Sequence, residues 1–161
     1  MERTGHSPIK EKMKEIKSPL SGEMSGHVCY GDDFYGYDDA MYVGLRLLRI
    51  LSKDNLSLNQ IINKYPKTFS TPETRFDVDE TNKFKIIKEI KERLLSFKGN
   101  IIDIDGIRVE TEEGWFLMRA SNTQNQLTCR VESISLEGLK KLINVVENQL
   151  ALSNVDFKFT V

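Results

Sequence analysis

Cysteine, histidine, charge imbalance and long apolar runs are all scarce in this 161-residue chain. Its two cysteines, Cys29 and Cys129, share no CxxC spacing, so neither a zinc knuckle nor a dithiol redox motif is suggested, and a reducing, cytoplasmic setting fits. Two histidines in the whole sequence argue against a histidine-rich metal site. Lys and Arg number 23 against 24 Asp and Glu, a net charge of −1 that gives no electrostatic reason to expect nucleic acid or an anionic membrane as partner. The most apolar run, MYVGLRLLRIL, is interrupted by Arg46 and Arg49, and the opening MERTGHSPIKEKMKEIK is charged and has no apolar stretch. No export signal and no membrane span are expected.

What is present describes a soluble globular chain, 39% apolar and 29% charged, long enough for one ordinary domain or for one small domain and part of another. SPIKEKMKEIK predicts a short helix with Ser7 as N-cap, Pro8 at the first helical position and Ile9, Met13 and Ile16 on one face. PLSGEMSGHVCYG reads as strand or extended loop broken by glycines. Asp38 and Asp39 cap a helix to about Ser52 with Met41, Leu45, Leu48 and Leu51 inward, and Ser57 starts another that Pro66 ends. These elements are too few to cover their own apolar faces, so residues 1–65 read as the end of a larger α/β domain entered in mid-domain.

YPKTFSTPE carries two prolines and no helical period, which places a linker and hinge at 66–72. Beyond it, 73–161 predicts a strand near Thr74 to Val78 and a helix from about Thr81 to Phe97 with Phe84, Ile87, Ile90 and Leu94 on one face. A hairpin turning at Glu112–Gly114 and an alternating strand QLTCRVES follow. A last helix is capped by Ser135 and presents Leu136, Leu139, Ile143, Val146 and Leu150. This half is an α+β domain with helices on one face of an antiparallel sheet.

Three places carry candidate chemistry. In GEMSGHV, Glu23, Ser25 and His27 fall on alternate positions of an extended chain, one side of which would suit a polyol, although a polar edge strand with a glycine bulge reads equally well. In RASNTQNQLTCR, Arg119 offers a planar fork of donors, and Ser121, Asn122 and Thr123 add hydroxyls, an amide and free backbone N–H groups that could cradle a phosphate dianion; ordinary turn chemistry is the plainer reading. His6, just ahead of the first helix, would tend to stay neutral beside the positive helix terminus and so could move a proton. No metal ligation by this chain is expected, since Asp38 and Asp39 read more simply as caps.

Taken together, TGHSPIKEKM, GEMSGHVCYGDDFYGYDDAMYVGLRLLRILS and EGWFLMRASNTQNQLTCRVES closely resemble, in order and spacing, the phosphomannomutase/phosphoglucomutase branch of the α-D-phosphohexomutases. The resemblance implies a cytoplasmic enzyme of four domains that moves a phosphoryl group between C1 and C6 of a hexose through a bisphosphorylated intermediate. This chain resembles the end of the third domain and the whole fourth. Glu23 and Ser25, with His27, would then recognise sugar hydroxyls, Arg119, Ser121, Asn122 and Thr123 would hold the phosphate that is not reacting, and His6 and His27 would lie near the reacting end for proton transfer.

The family's phosphoserine loop and Mg²⁺-binding loop are not found here, and DIDG at 103–106 reads as strand and turn rather than as the metal loop. Mg²⁺ is implied for the complete enzyme and no cofactor for this chain, which is expected to be inactive alone. Its partners would be glucose or mannose 1- and 6-phosphate and the missing N-terminal domains. A non-catalytic fragment that associates with itself or with another protein is the alternative, and a metal-dependent hydrolase using His6, His27 and the acidic pair is a more distant one. Asn125 departs from the family pattern, which commonly has proline there, and Pro8 replaces a larger apolar residue.

Overall fold

The computed structural model describes residues 1–53 and 55–160, and the chain divides into two units, Met1–Tyr65 and Pro66–Val161.

In the first unit, α1 spans His6–Ile16 with Gly5, at φ 126°, as its N-cap, so the helix begins two residues earlier than a Ser7 cap predicts. The ladder opens with Ile9 N–H donating to Gly5 O at 3.3 Å, which makes His6 the first helical residue rather than a residue ahead of the helix. Pro8 sits within the first turn, where a missing N–H costs nothing. Strands β1 (Leu20–Gly22) and β2 (Val28–Tyr30) form an antiparallel hairpin, with Gly22 opposite Val28. Helix α2 (Ala40–Lys53) is capped by Asp39, whose Oδ1 accepts from Tyr42 N–H at 2.9 Å.

The expected inward face of α2 is the main correction in this unit. Met41, Leu45 and Leu48 are 82%, 64% and 62% exposed, and no residue of the helix is buried. The residues that do pack are on another stripe: Tyr42 meets Tyr30 of β2 edge-on with ring centroids 5.6 Å apart, and the Arg46 guanidinium lies 4.4 Å from the Tyr30 centroid. Periodicity identifies an apolar face, but not whether another element lies over it. The short α3 (Leu58–Ile62) begins with a reciprocal capping box between Ser57 and Gln60.

In the second unit a six-stranded antiparallel sheet is organised around β8 (Gln126–Ser133). One edge of β8 pairs along its length with β7 (Gly114–Ala120); the other pairs with β4 (Thr74–Asp77) and then, end to end, with the two-residue β3 (Phe69–Ser70). Beyond β7 come β6 (Ile107–Glu110) and β5 (Asn100–Ile102). Residues 69–70 of the expected linker therefore belong to the sheet, and Thr71 is bonded to it. Thr71 N–H donates to Val131 O at 2.9 Å, and the buried Thr71 Oγ1 accepts from Val131 N–H at 3.1 Å.

Helices α4 (Lys83–Leu94) and α5 (Leu136–Ala151) lie on one face of this sheet, as patterning predicts. Ile90, Leu94, Val146 and Leu150 pack there on Ile107, Phe116, Leu127 and Cys129, all essentially inaccessible to solvent. Burial pushes the Cys129 thiol up to about 12. Two expected inward residues are instead exposed, Phe84 and Leu136, both in the first turns of their helices; beside the first of them Lys83 is buried. The hairpin turn falls at Thr111–Glu113, one residue before the expected Glu112–Gly114 because Gly114 already opens β7, and Ser135 caps α5 through Gly138 N–H at 3.0 Å, as expected. Among the described residues, no helix is long and apolar enough to cross a membrane.

Candidate functional site

In the first unit the hairpin loop 23–27 gathers one set of candidates. Gly26 N–H donates to Glu23 O at 3.0 Å, Glu23 N–H donates to His27 O at 2.8 Å, and Gly26 adopts φ 92°, so residues 23–26 form a closed turn. The expected alternation of Glu23, Ser25 and His27 along an extended strand is therefore replaced by turn geometry, which only glycine accommodates without strain at position 26. Glu23 is half-buried, while Ser25 and His27 are exposed. His6, at the start of α1, meets His27 edge-on with ring centroids 5.6 Å apart, and both rings line a small depression with Glu23, Ser21 and Cys29.

Asp38 is the residue that the sequence misassigned. It is not the helix cap: its Oδ2 lies 2.5 Å from His27 Nδ1, and its Oδ1 accepts from Val28 N–H at 3.3 Å. Two adjacent aspartates before a helix give no sign of which one caps and which reaches back across eleven residues. The Asp38 hydrogen bond and charge hold the His27 pKa above its ordinary value, and reciprocally the His27 contact, with the Val28 N–H, holds Asp38 below its own. An ionised carboxylate only accepts, so His27 Nδ1 carries the proton toward Asp38, and when the ring is neutral its lone pair lies at Nε2. That is the arrangement of a histidine able to take up and return a proton.

His6, His27 and Asp38 also offer ligand atoms within 4.8 Å of one another. Two imidazoles and a carboxylate with both oxygens engaged do not fit Mg²⁺, which takes oxygen ligands in near-octahedral geometry.

In the second unit the β7–β8 connection carries the other set. Arg119 is next to last in β7, on the face opposite to Met118 and Ala120, whose side chains enter the core. Its Nη1 donates to Asp105 Oδ2 at 3.1 Å, and each of the two side chains is about a quarter exposed. Asp105 belongs to the β5–β6 turn, which Gly106 brings against the base of Arg119. At φ 84°, a Cβ on Gly106 would lie 2.4 Å from Met118 O and 2.5 Å from Arg119 Cβ.

Past Arg119 the loop is tied together by its own serine. Ser121 N–H donates to Gln126 O at 2.9 Å, while Ser121 Oγ accepts from Thr123 N–H at 3.3 Å and Gln124 N–H at 3.1 Å. Of the backbone N–H groups expected to be free, those of Ser121, Thr123 and Gln124 are thus engaged. The hydroxyl accepts twice and keeps its own proton to donate. Asn122 and Thr123 are exposed.

The flank facing α4 is bonded to the loop as well. Asn125 O accepts from Val78 N–H at 2.9 Å, Asp77 Oδ1 from Gln126 Nε2 at 2.9 Å, and Gln124 O from Lys83 Nζ at 2.9 Å. The Val78 bond uses a carbonyl that proline also has, so Asn125 keeps this anchor without the ring. Asp105 and Lys83 escaped sequence reasoning because their partners lie 14 and 41 residues away.

A family profile described as phosphoglucomutase/phosphomannomutase, alpha/beta/alpha domain III, matches residues 1–69, and one described as the C-terminal domain of the same family matches residues 73–149. A phosphomannomutase/phosphoglucomutase of Pseudomonas aeruginosa is 43% identical over 150 residues, covering 93% of this chain and 32% of the relative. A phosphoglucomutase of Neisseria gonorrhoeae is 42% identical over 148 residues, covering 89% of this chain and 32% of that protein. The crystal structure of a phosphoglucomutase/phosphomannomutase family protein from Burkholderia thailandensis superposes with a TM-score of 0.85 at 35% identity, covering all of this chain and 34% of the other. The chain spans about a third of the length of the relatives it matches.

Proposed function

The chain belongs to the phosphoglucomutase/phosphomannomutase family, and from that premise we propose that it supplies the sugar- and phosphate-gripping part of a cytoplasmic phosphohexomutase acting on glucose or mannose 1- and 6-phosphates. Glu23, Ser25 and His27 take the ring hydroxyls. Arg119, Ser121, Asn122 and Thr123 hold the phosphate that is not being transferred. A substrate that reacts at either end needs its idle end and its ring held by groups outside the chemistry, and the two loops divide that work.

His27 moves the proton of the sugar hydroxyl that gains or loses the phosphoryl group, with Nε2 as the exchanging atom and Asp38 holding the ring; His6 stands beside it. Mg²⁺, when bound to the complete enzyme, neutralises charge on the transferring phosphoryl group. The residues of this chain take no part in holding it, and the chain alone is inactive. Bending between the units falls to residues 66–68, because 69–71 are bonded into the sheet.

The observation that carries this reading is the turn after Arg119, where a serine hydroxyl closes the loop by accepting two N–H groups and keeps its proton for an anion. Amide NMR shifts of the chain, titrated with glucose 1-phosphate, mannose 1-phosphate and inorganic phosphate, test it. All three should move Arg119–Thr123, and only the sugar phosphates should move Glu23–His27. A folded sample with no shift at Arg119–Thr123 at millimolar ligand overturns the phosphate assignment.

The exposed apolar face of α2 favours a second reading, in which the chain works by associating with itself or with another protein. Sedimentation that finds a monomer with no apolar-dye binding removes its support.

A further inference from the structure

Lys83 stands out among the buried residues. It opens α4, is only 5% exposed, and among the described residues makes no ion pair with a carboxylate. Its Nζ donates to Gln124 O at 2.9 Å and lies 5.3 Å from the Phe84 ring centroid. An ammonium removed from water is costly unless something compensates it, and one carbonyl occupies only one of its three donors. A lysine kept here for packing alone would be better replaced by an apolar side chain of the same length.

What the position adds is a hold on the loop. Gln124 stands directly after Ser121–Thr123 and is bonded on two sides, its N–H to Ser121 Oγ and its carbonyl to Lys83. We infer that Lys83 is a positioning residue of the phosphate loop: it fixes the carbonyl side of the turn that Ser121 closes and sets behind it an ammonium that has no carboxylate partner among the described residues, which an incoming dianion complements. The inference rests on reading residues 119–125 as a phosphate loop and adds to it a residue that touches no ligand.

The test is the same NMR titration of the whole chain with inorganic phosphate and with glucose 1-phosphate, run on Lys83→Met, Lys83→Arg and, as a control of equal charge change on the exposed side of α4, Lys85→Met. Lys83→Met should weaken binding at Ser121–Thr123 by about tenfold, the scale of one lost charge-assisted hydrogen bond. Lys83→Arg should recover most of that loss, and Lys85→Met should bind within about twofold of the parent, as surface charges do. A purely structural lysine would alter the melting temperature and leave the affinity of the folded protein unchanged. If Lys83→Met does not fold, Lys83→Gln is read in the same way with the same expected loss. A parent chain that binds phosphate no better than its folded Met or Gln variant overturns the inference alone; a parent chain with no shift at the loop overturns the phosphate reading and the inference with it.

Discussion

The two units solve the problem of burying apolar surface in opposite ways. In the second, two helices close over one face of a six-stranded sheet, and side chains such as Ile90, Phe116 and Val146 are sealed from water. In the first, a two-stranded hairpin and three helices leave α2 without a single buried residue. The candidate groups follow the same division. The candidate phosphate loop grows out of a long paired strand and is bonded to its flanks, whereas the candidate histidine site rests on a short hairpin and one carboxylate.

The sharpest way to break the comparison is to truncate a large side chain in each unit. Phe116→Ala should lower the unfolding free energy of the second unit by about 3–5 kcal/mol in a denaturant titration, whereas Leu45→Ala, at 64% exposure, should change stability by no more than about 0.5 kcal/mol. A Leu45→Ala cost approaching that of Phe116→Ala would mean that the α2 face is covered in solution. Next in size is Gly106→Ala, where a left-handed φ and a Cβ driven into the Arg119 backbone combine. About 2–4 kcal/mol should be lost, seen as a fall in the melting temperature. Ser135→Ala removes the cap of α5 and should cost about 1 kcal/mol by the same measurement.

The smallest effect concerns the histidine site and is read best as a titration. Because His27 is raised above its ordinary value near 6.5, its contribution to stability is fully present below that value and is lost as pH climbs through the raised one. Asp38 is lowered from 3.8, so its contribution is present above that value and is lost as pH falls through the lowered one. Asp38→Asn should move the NMR midpoint of His27 down toward its ordinary value. An unmoved midpoint would show that the carboxylate does not govern the imidazole.

Much of the second unit was legible in the sequence because its signals are local. The Ser135 cap and the strict alternation of Leu127, Cys129 and Val131 each report their own surroundings. What was missed depends on distant partners. Strand β3 is two residues long and exists only because Glu132 and Ser133, some sixty residues on, receive it. Lys83 appears in the sequence as one more charge on a helix already rich in lysine, and its burial follows from where the loop at Gln124 comes to lie. In the first unit the glycines and histidines marked the right stretch, yet residue types could not say that Gly26 bends it into a turn or that Asp38, rather than Asp39, faces the imidazole.

The sealed thiol of Cys129 has a practical consequence. Alkylating reagents attack the thiolate, and a sulfur at the middle of β8, wholly shielded and pushed up to about 12, presents almost none while the sheet is intact. With Cys29 replaced by alanine, the rate at which the chain takes up such a reagent would count the moments when the second unit opens, giving each variant above an internal clock for its own excursions.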